Sequence, residues 1–447
     1  MKSSSPNVMF IFPGQGSQYR GMGSDIAAAW PAARAVYDRA SEVLDLDMAE
    51  LSFLDPQDQL DQTRFTQPAL LTHSLACLAA FDELTHGSVV PAVTAGHSLG
   101  EYTALVAAGA LEPEAALRAV QERGNLMSRY GRGQMRAFPL AVDSIRPLAE
   151  RHYCGIGSCN LPEQTVVGGA AEDLELVAAE AKDQFPRGRS MVLRTEGAFH
   201  TYLMVEAAEK FREVLKGVAF NEPRAAVIAN FTGDYHDLDP ESIRSRLFFQ
   251  MFNPVKWIWG VQRALADDVT LIVEFGGGIG RGDRPDEKRP NLASIMKIAI
   301  GAAGRTVTYV PAHNEQSIQK AADVFNRLAL LSGYEGEART PPPHQWHGDK
   351  AYGLFLPSRE GQLMPGAVEV LQHLGELGLL DAVPTVPEPE SSSLSFVQEF
   401  IDAEATLPEP YLETIVSRET GAVEYSAGED LHTALKGLAR EMEETPE

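Results

Sequence analysis

The chain has 447 residues, 44% hydrophobic and 22% charged. That balance excludes a chain disordered throughout, a collagen and a small disulfide scaffold, and the length suits about two to four domains. Lys and Arg number 38 against 62 Asp and Glu, a formal net charge of −24, which argues against a binder of nucleic acid or of anionic membranes. Cys77, Cys154 and Cys159 cannot all pair with one another and show no CxxC spacing, so they read as small buried hydrophobes in a reducing compartment. The apolar run 8–12 is too short for a signal peptide, and no stretch approaches the roughly 20 apolar residues of a membrane helix. The expectation is a cytoplasmic protein with neither nucleic acid nor membrane among its partners.

Residues 8–12 are a continuous apolar run closed by Pro13-Gly14, which predicts a buried strand and a turn. Residues 67–81, rich in Ala and Leu, predict a core helix. A short strand is expected at 93–96, with helices at 99–110 and 114–130. Strands alternating with helices predict a parallel α/β sheet. The pattern changes near Gly133. A strand is expected at 136–142, a helix at 143–153 capped by Asp143 or Ser144, and two strands at 155–160 and 164–168 joined by Leu161-Pro162-Glu163. A helix at 172–185 and a strand at 190–194 complete the order βαββαβ, the ferredoxin-like arrangement. The α/β pattern resumes with a helix at 203–215, a strand at 226–230, a helix at 243–251 and a strand at 270–275.

The expected organisation is an α/β core over 7–134 and 203–335, a ferredoxin-like small subdomain over 135–202, and a C-terminal extension over 336–447. The last boundary lies near Arg339-Thr-Pro-Pro-Pro343. Beyond it come a helix candidate at 366–380 and a Pro-, Glu- and Ser-rich stretch at 384–393. Residues 385–447 hold 15 acidic against 3 basic residues, so this tail is acidic and in part linker-like. Amphipathic pieces at 396–401 and 431–442 leave two options, docking on the chain itself or binding a further protein partner.

The strongest chemical signal is Gly96-His97-Ser98-Leu99-Gly100, a G-x-S-x-G between an apolar strand and a helix. That context is the one a nucleophile elbow requires, with Ser98 exposed on a strained turn. A serine needs a base. His97 is adjacent, but neighbours on a tight turn point apart; His200, in Gly197-Ala-Phe-His-Thr-Tyr-Leu-Met204, is the alternative, and a satisfied histidine at a helix start is the plainer reading of it. Glycines flank Gln15 in Phe12-Pro-Gly-Gln-Gly-Ser-Gln18, directly after the first strand. The backbone N–H groups of Gln15 and Leu99 fit the two donors of an oxyanion hole.

Together these segments resemble the malonyl-CoA:acyl carrier protein acyltransferase family, of fatty-acid and polyketide synthesis. The resemblance covers roughly residues 8–330 and includes FPGQGSQ at 12–18, TQPAL at 66–70, GHSLGEY at 96–102 and ERGNLM at 122–127. It continues with NLPEQTVVGG at 160–169, GAFHTYLM at 197–204, IANFTG at 228–233 and FNPVKW at 252–257. The family fold is an α/β-hydrolase-like core with a ferredoxin-like insert. The resemblance implies His200 as the base and ping-pong transfer from malonyl-CoA, through an ester on Ser98, to the phosphopantetheine thiol of an acyl carrier protein. It implies no metal or redox cofactor. It implies Arg123 as a clamp on the free carboxylate of malonyl, with Gln67 lining the same pocket and Phe199 favouring malonyl over methylmalonyl. Gln250 and Asn160 take supporting roles. A hydrolase using the same serine and histidine, and a transferase of another or a carrier-bound acyl group, are the alternatives. A non-catalytic scaffold is a third reading, opposed by Ser98, His200 and Gln15 standing intact together.

Some features depart from the family pattern. Arg136-Ala-Phe-Pro139 replaces a short apolar stretch with a glycine, Tyr202 stands where smaller or different residues are common, and Glu274-Phe-Gly-Gly-Gly278 is followed by a hydrophilic insertion at 280–291. That Gly-rich run lacks the Lys-Ser/Thr of a P-loop. Asn230-Phe-Thr232 spells a glycosylation sequon with no meaning in a cytoplasmic protein. Carrier proteins are acidic, so docking one on this chain calls for a local basic patch, with Arg244, Arg246 and Lys256 as its candidates.

Overall fold

Strand β1, Val8–Phe12, is buried along its whole length. After it come α1 (Ser24–Ala29), α2 (Pro31–Leu44), α3 (Met48–Phe53), α4 (Thr63–Thr85), β2 (Val93–Gly96), α5 (Gly100–Ala107) and α6 (Pro113–Tyr130). Next are β3 (Gln134–Phe138), α7 (Val142–Arg151), β4 (Gly155–Leu161), β5 (Gln164–Gly169), α8 (Ala171–Gln184) and β6 (Met191–Leu193). The chain continues with α9 (Val205–Lys216), β7 (Ala226–Ala229), β8 (Asp234–Tyr235), α10 (Pro240–Gln250) and α11 (Trp257–Ala266). Then come β9 (Leu271–Phe275), α12 (Ala293–Ala302), β10 (Thr308–Ala312) and α13 (Glu315–Ser332). This computed structural model describes residues 7–282 and 284–332 and two antiparallel pairs, Ser358–Arg359 with Gln362–Leu363 and Thr414–Val416 with Val423–Tyr425. The helix expected at 366–380, the stretch 384–393 and the amphipathic pieces at 396–401 and 431–442 lie outside the described residues.

The described residues divide into two compact units, one drawn from 7–130, 210–250 and 255–332, the other from 131–209, 251–254 and the two antiparallel pairs beyond 345. The first is built on a six-stranded sheet in the order β10-β9-β1-β2-β7-β8. All its pairings are parallel except β7 with the short edge strand β8, so the sheet is mixed where the sequence predicts a parallel one. The interior strands are buried on both faces, which is why β1, β2, β7 and β9 read as continuous apolar runs rather than alternating ones. Phe10, Phe81 and Phe275 pack edge to face in the core, with ring centroids 4.8 to 6.1 Å apart. Because β1, β2 and β7 are adjacent and parallel, their carboxyl ends open on one edge of the sheet.

The second unit carries a four-stranded sheet, order β4-β5-β3-β6, with every pairing antiparallel. Strand β3 is shorter than the predicted 136–142, because Pro139 follows it and has no N–H for the ladder. Helix α7 is preceded by Ala141, whose side chain can cap nothing, so neither Asp143 nor Ser144 is its cap. The helix predicted at 203–215 starts as a 3₁₀ turn, Tyr202–Met204, before α9. All three cysteines are buried free thiols. Among the described residues no helix is long and apolar enough to cross a membrane.

Candidate active site

Strand β2 ends at Gly96 and α5 begins at Gly100, and the two glycines touch. A Cβ on Gly96 would lie 1.8 Å from the carbonyl carbon of Gly100. Only this crossing lets the chain reverse within four residues, and Ser98 at its tip takes φ +53°, the left-handed region. The turn is held from outside. Asn230, directly after β7, accepts the Ser98 N–H on Oδ1 at 2.6 Å and donates Nδ2 to the Gly96 carbonyl at 2.7 Å. Gln250, the last residue of α10, donates Nε2 to the Ser98 carbonyl at 3.0 Å.

The loop after β1 packs on this turn. The His97 N–H donates to the Phe12 carbonyl at 3.0 Å. Gly14 is so close that a Cβ there would stand 2.5 Å from the His97 carbonyl oxygen. Gln15 follows, its side chain tied by Nε2 to Thr63 Oγ1 at 3.1 Å, and Leu99 stands buried at the start of α5. The amide of Ser98 is spent on Asn230, so it is not a donor for a developing oxyanion.

Arg123 projects from α6, whose Arg118 and Arg129 are exposed, and is itself 0% exposed. Its guanidinium donates to Gln67 Oε1 at 2.8 Å, Gln250 Oε1 at 2.9 Å and Ser98 Oγ at 3.1 Å, and lies 5.7 Å from the Tyr102 ring centre. Gln67 is fixed from its other end by a contact of Nε2 with Met127 Sδ at 3.3 Å. Burial lowers the Arg123 pKa, while the nearby Tyr102 and Glu101 raise it. The cation is thus dry, fixed and within hydrogen-bond distance of the serine hydroxyl.

Ser98, Arg123, Gln67 and Gln250 are therefore brought together in the first unit, with Gln15 and Leu99 beside them. His200, Phe199 and Asn160 belong to the second. His200 is buried and, like Ser98, has a left-handed backbone, φ +61°. The Ala198 N–H donates to the Arg132 carbonyl at 2.7 Å and Thr201 Oγ1 to the Ala198 carbonyl at 2.6 Å, which over-determines this bend. Phe199 is buried, and Asn160 is half-buried near the end of β4. Arg136, the departure in β3, pairs with Glu175 at 2.5 Å, and the Tyr202 hydroxyl donates to the Tyr153 carbonyl at 2.8 Å.

The basic docking patch fails. Arg246 is 0% exposed and donates to the Tyr235 carbonyl at 2.6 Å and to Asp237 at 2.5 Å. Lys256 is buried, with Nζ 5.5 Å from the centre of the Phe231 ring. Arg244 spends its guanidinium on the Leu215 and Val218 carbonyls and on Glu241. Helix α10 buries most of its length, including Arg246, and Arg244 on it is only partly exposed.

Sequence reasoning misses three residues of the site. Asn230 figures there only within the segment IANFTG and as a sequon, with no role assigned, whereas it is buried and clasps the elbow. Glu101 and His236 are buried and bonded to each other. A signal for Glu101 was present, since it is a lone carboxylate in the otherwise uncharged α5.

Comparison with known proteins bears on all of this. The chain is 35% identical over 280 residues to the malonyl CoA-acyl carrier protein transacylase of Bacillus subtilis, covering 61% of this chain and 87% of that one. Its fold matches the malonyl CoA-acyl carrier protein transacylase of Clostridium perfringens, with TM-score 0.65 and 28% identity over 73% of this chain and 99% of that one. It also matches PlMCAT, solved as a malonyl-transacylase in complex with AntF, a type II PKS acyl-carrier protein, with TM-score 0.63 and 31% identity over 71% and 99% of the two chains. The sequence profile of the acyl transferase domain matches residues 9–275, more than half of the molecule, and the chain belongs to that family.

Proposed function

We propose that this protein moves a malonyl group from malonyl-CoA to the phosphopantetheine thiol of an acyl carrier protein. The observation that carries the reading is the buried Arg123 guanidinium, 3.1 Å from Ser98 Oγ and braced by Gln67 and Gln250. A fixed cation beside the nucleophile matches a donor that ends in a free carboxylate. An acetyl group has nothing to offer it. The relatives named as malonyl transacylases support the same reading.

In the proposed reaction His200 takes the Ser98 hydroxyl proton as Oγ attacks the thioester carbonyl. The Gln15 and Leu99 amides hold the oxyanion. The C–S bond breaks, coenzyme A leaves with the proton from His200, and a malonyl ester remains on Ser98. The carrier's thiol then attacks the ester, gives its proton to His200, and Oγ leaves as the serine hydroxyl. The atoms balance with no metal and no redox cofactor. In this reading Phe199 limits the acyl group to malonyl, Asn160 supports the pocket, and the reaction is cytoplasmic. The second unit is read as a ferredoxin-like subdomain, supported by its βαββαβ element order and antiparallel sheet. Residues 336–447 are read as an acidic extension able to engage a further protein.

Intact-protein mass spectrometry after brief exposure to malonyl-CoA tests the proposal, with Ser98→Ala as control. A malonyl adduct that needs Ser98 and passes to an added holo carrier protein is the expected result. An adduct released to water with carrier present would replace the transferase by a hydrolase. No adduct from any coenzyme A ester would overturn the donor.

A further inference from the structure

Two residues of the buried network beneath Ser98, Glu101 and His236, have no part in the reaction above. Glu101 lies three residues after Ser98 on α5 and is 0% exposed. Its carboxylate accepts three hydrogen bonds. Oε1 receives His236 Nε2 at 2.7 Å, and Oε2 receives Gln250 Nε2 and the Asn230 backbone N–H, each at 2.9 Å.

These bonds fix what packing alone cannot. The Gln250 amide could turn over by half a rotation with no change of shape. As it stands, Nε2 faces the Glu101 carboxylate and Oε1 faces the Arg123 guanidinium. Turned over, acceptor would meet acceptor and donor would meet donor. Glu101, together with the Ser98 carbonyl that accepts from the same Nε2 at 3.0 Å, therefore sets which end of Gln250 meets Arg123. It also holds the backbone of Asn230, whose side chain clasps the Ser98 turn.

A buried carboxylate is costly unless its lone pairs are met. His236 meets those of Oε1. As a neutral ring protonated at Nε2 it supplies that donor, and its buried Nδ1 has no hydrogen-bond partner among the described residues, which suits a bare lone pair and would orphan an N–H. Burial lowers the His236 pKa, as does Arg246, while Glu101 and Asp237 pull the other way. With His236 neutral, the buried charges of Arg123 and Glu101 balance.

We propose that Glu101 and His236 are a positioning pair for acyl transfer, orienting Gln250 and through it the guanidinium of Arg123. The inference rests on the malonyl reading of Arg123. Its test is kcat/KM for malonyl-CoA and acetyl-CoA loading on Ser98, measured in the full chain for Glu101→Gln, His236→Leu and His236→Gln, with melting temperatures alongside. The glutamine at 236 can return a donor near the place of Nε2.

Glu101→Gln and His236→Leu should lower malonyl loading by about 10- to 100-fold and the malonyl-to-acetyl ratio by at least about 5-fold, with His236→Gln within about 3-fold of wild type. Wild-type rates and ratio in Glu101→Gln would overturn the proposal, and so would equal losses for both donors, the mark of a merely structural role. Should His236→Leu not fold, Glu101→Gln, nearly isosteric, decides alone. Wild type that takes no malonyl from coenzyme A would defeat the proposed function instead. The pair is then read from labelling of Ser98 by a fluorophosphonate, expected to slow in Glu101→Gln and recover in His236→Gln; unchanged labelling would overturn it.

Discussion

Asn230 grips the Ser98 turn on both sides, accepting the Ser98 N–H at 2.6 Å and donating to the Gly96 carbonyl at 2.7 Å. Replacing Asn230 by Ala leaves the half-buried Ser98 N–H and the buried Gly96 carbonyl unmet, the buried one costing about 1–3 kcal/mol. The turn is already strained, with Ser98 at φ +53°, so the loss falls on the geometry of Ser98 as well as on stability. Asn230→Ala should show a lower urea midpoint and slower Ser98 acylation, checked by equilibrium unfolding and by adduct formation over time.

Arg123→Ala should reduce malonyl loading by about 100-fold or more while acetyl loading changes by less than about 10-fold. Arg123→Lys should not restore the ratio, because a point charge cannot address Gln67, Gln250 and a carboxylate together. Competition between the two thioesters, read by adduct mass, gives the ratio directly. Equal loss for both donors would remove the clamp.

Gly14→Ala should be severe although the residue lies outside the turn. Its Cβ would stand 2.5 Å from the His97 carbonyl oxygen, so the loop carrying Gln15 must retreat. The expected result is a fall of about 100- to 1,000-fold in acylation, the range seen when an oxyanion donor is removed, with the fold retained by circular dichroism. Near-normal acylation would exclude the Gln15 amide from that role.

Glu274 predicts a pH dependence. It is fully buried at the end of β9, accepts the Leu292 N–H and contacts the Tyr309 hydroxyl, and burial lifts its pKa from about 4.5 to about 8. The folded state therefore holds a proton that the unfolded state releases. Below the unfolded pKa both states are protonated and nothing is lost. As pH rises from about 4.5 to about 8 the unfolded state is favoured progressively. Glu274→Gln has no proton to lose, so its stability advantage over wild type should grow across that window and vanish at its acid end. Urea unfolding of the pair across the window measures this, and a flat difference would contradict the assignment.

The elbow and sheet strands were legible because β1, β2, β7 and β9 are apolar runs ended by glycine, proline or asparagine, and because Gly96 and Gly100 must be small for one steric reason. The network beneath was not. Glu101, Asn230 and His236 are polar residues that a linear reading puts on the surface, and only the meeting of α5, β7 and α10 shows their partners. Arg246 misleads in the same way, since a buried guanidinium bonded to the Tyr235 carbonyl and Asp237 looks like an exposed one in the sequence. Residues 24–53 carry no strand-like run and receive no element from sequence, yet Ala33, Tyr37, Ala40 and Leu44 mark the buried face of α2 at helical spacing.

The sheet order β1-β2-β7 has a consequence for transplantation. Gln15, Ser98 and Asn230 issue from three neighbouring strand ends, joined across the sheet rather than along the chain. Grafting the pentapeptide 96–100 onto another α/β sheet would carry the serine without its clasp or the loop that packs against its turn. The smallest portable unit is three adjacent strands with their loops, and a one-residue slip of β7 against β2 would disarm the serine while leaving every residue of its motif in place.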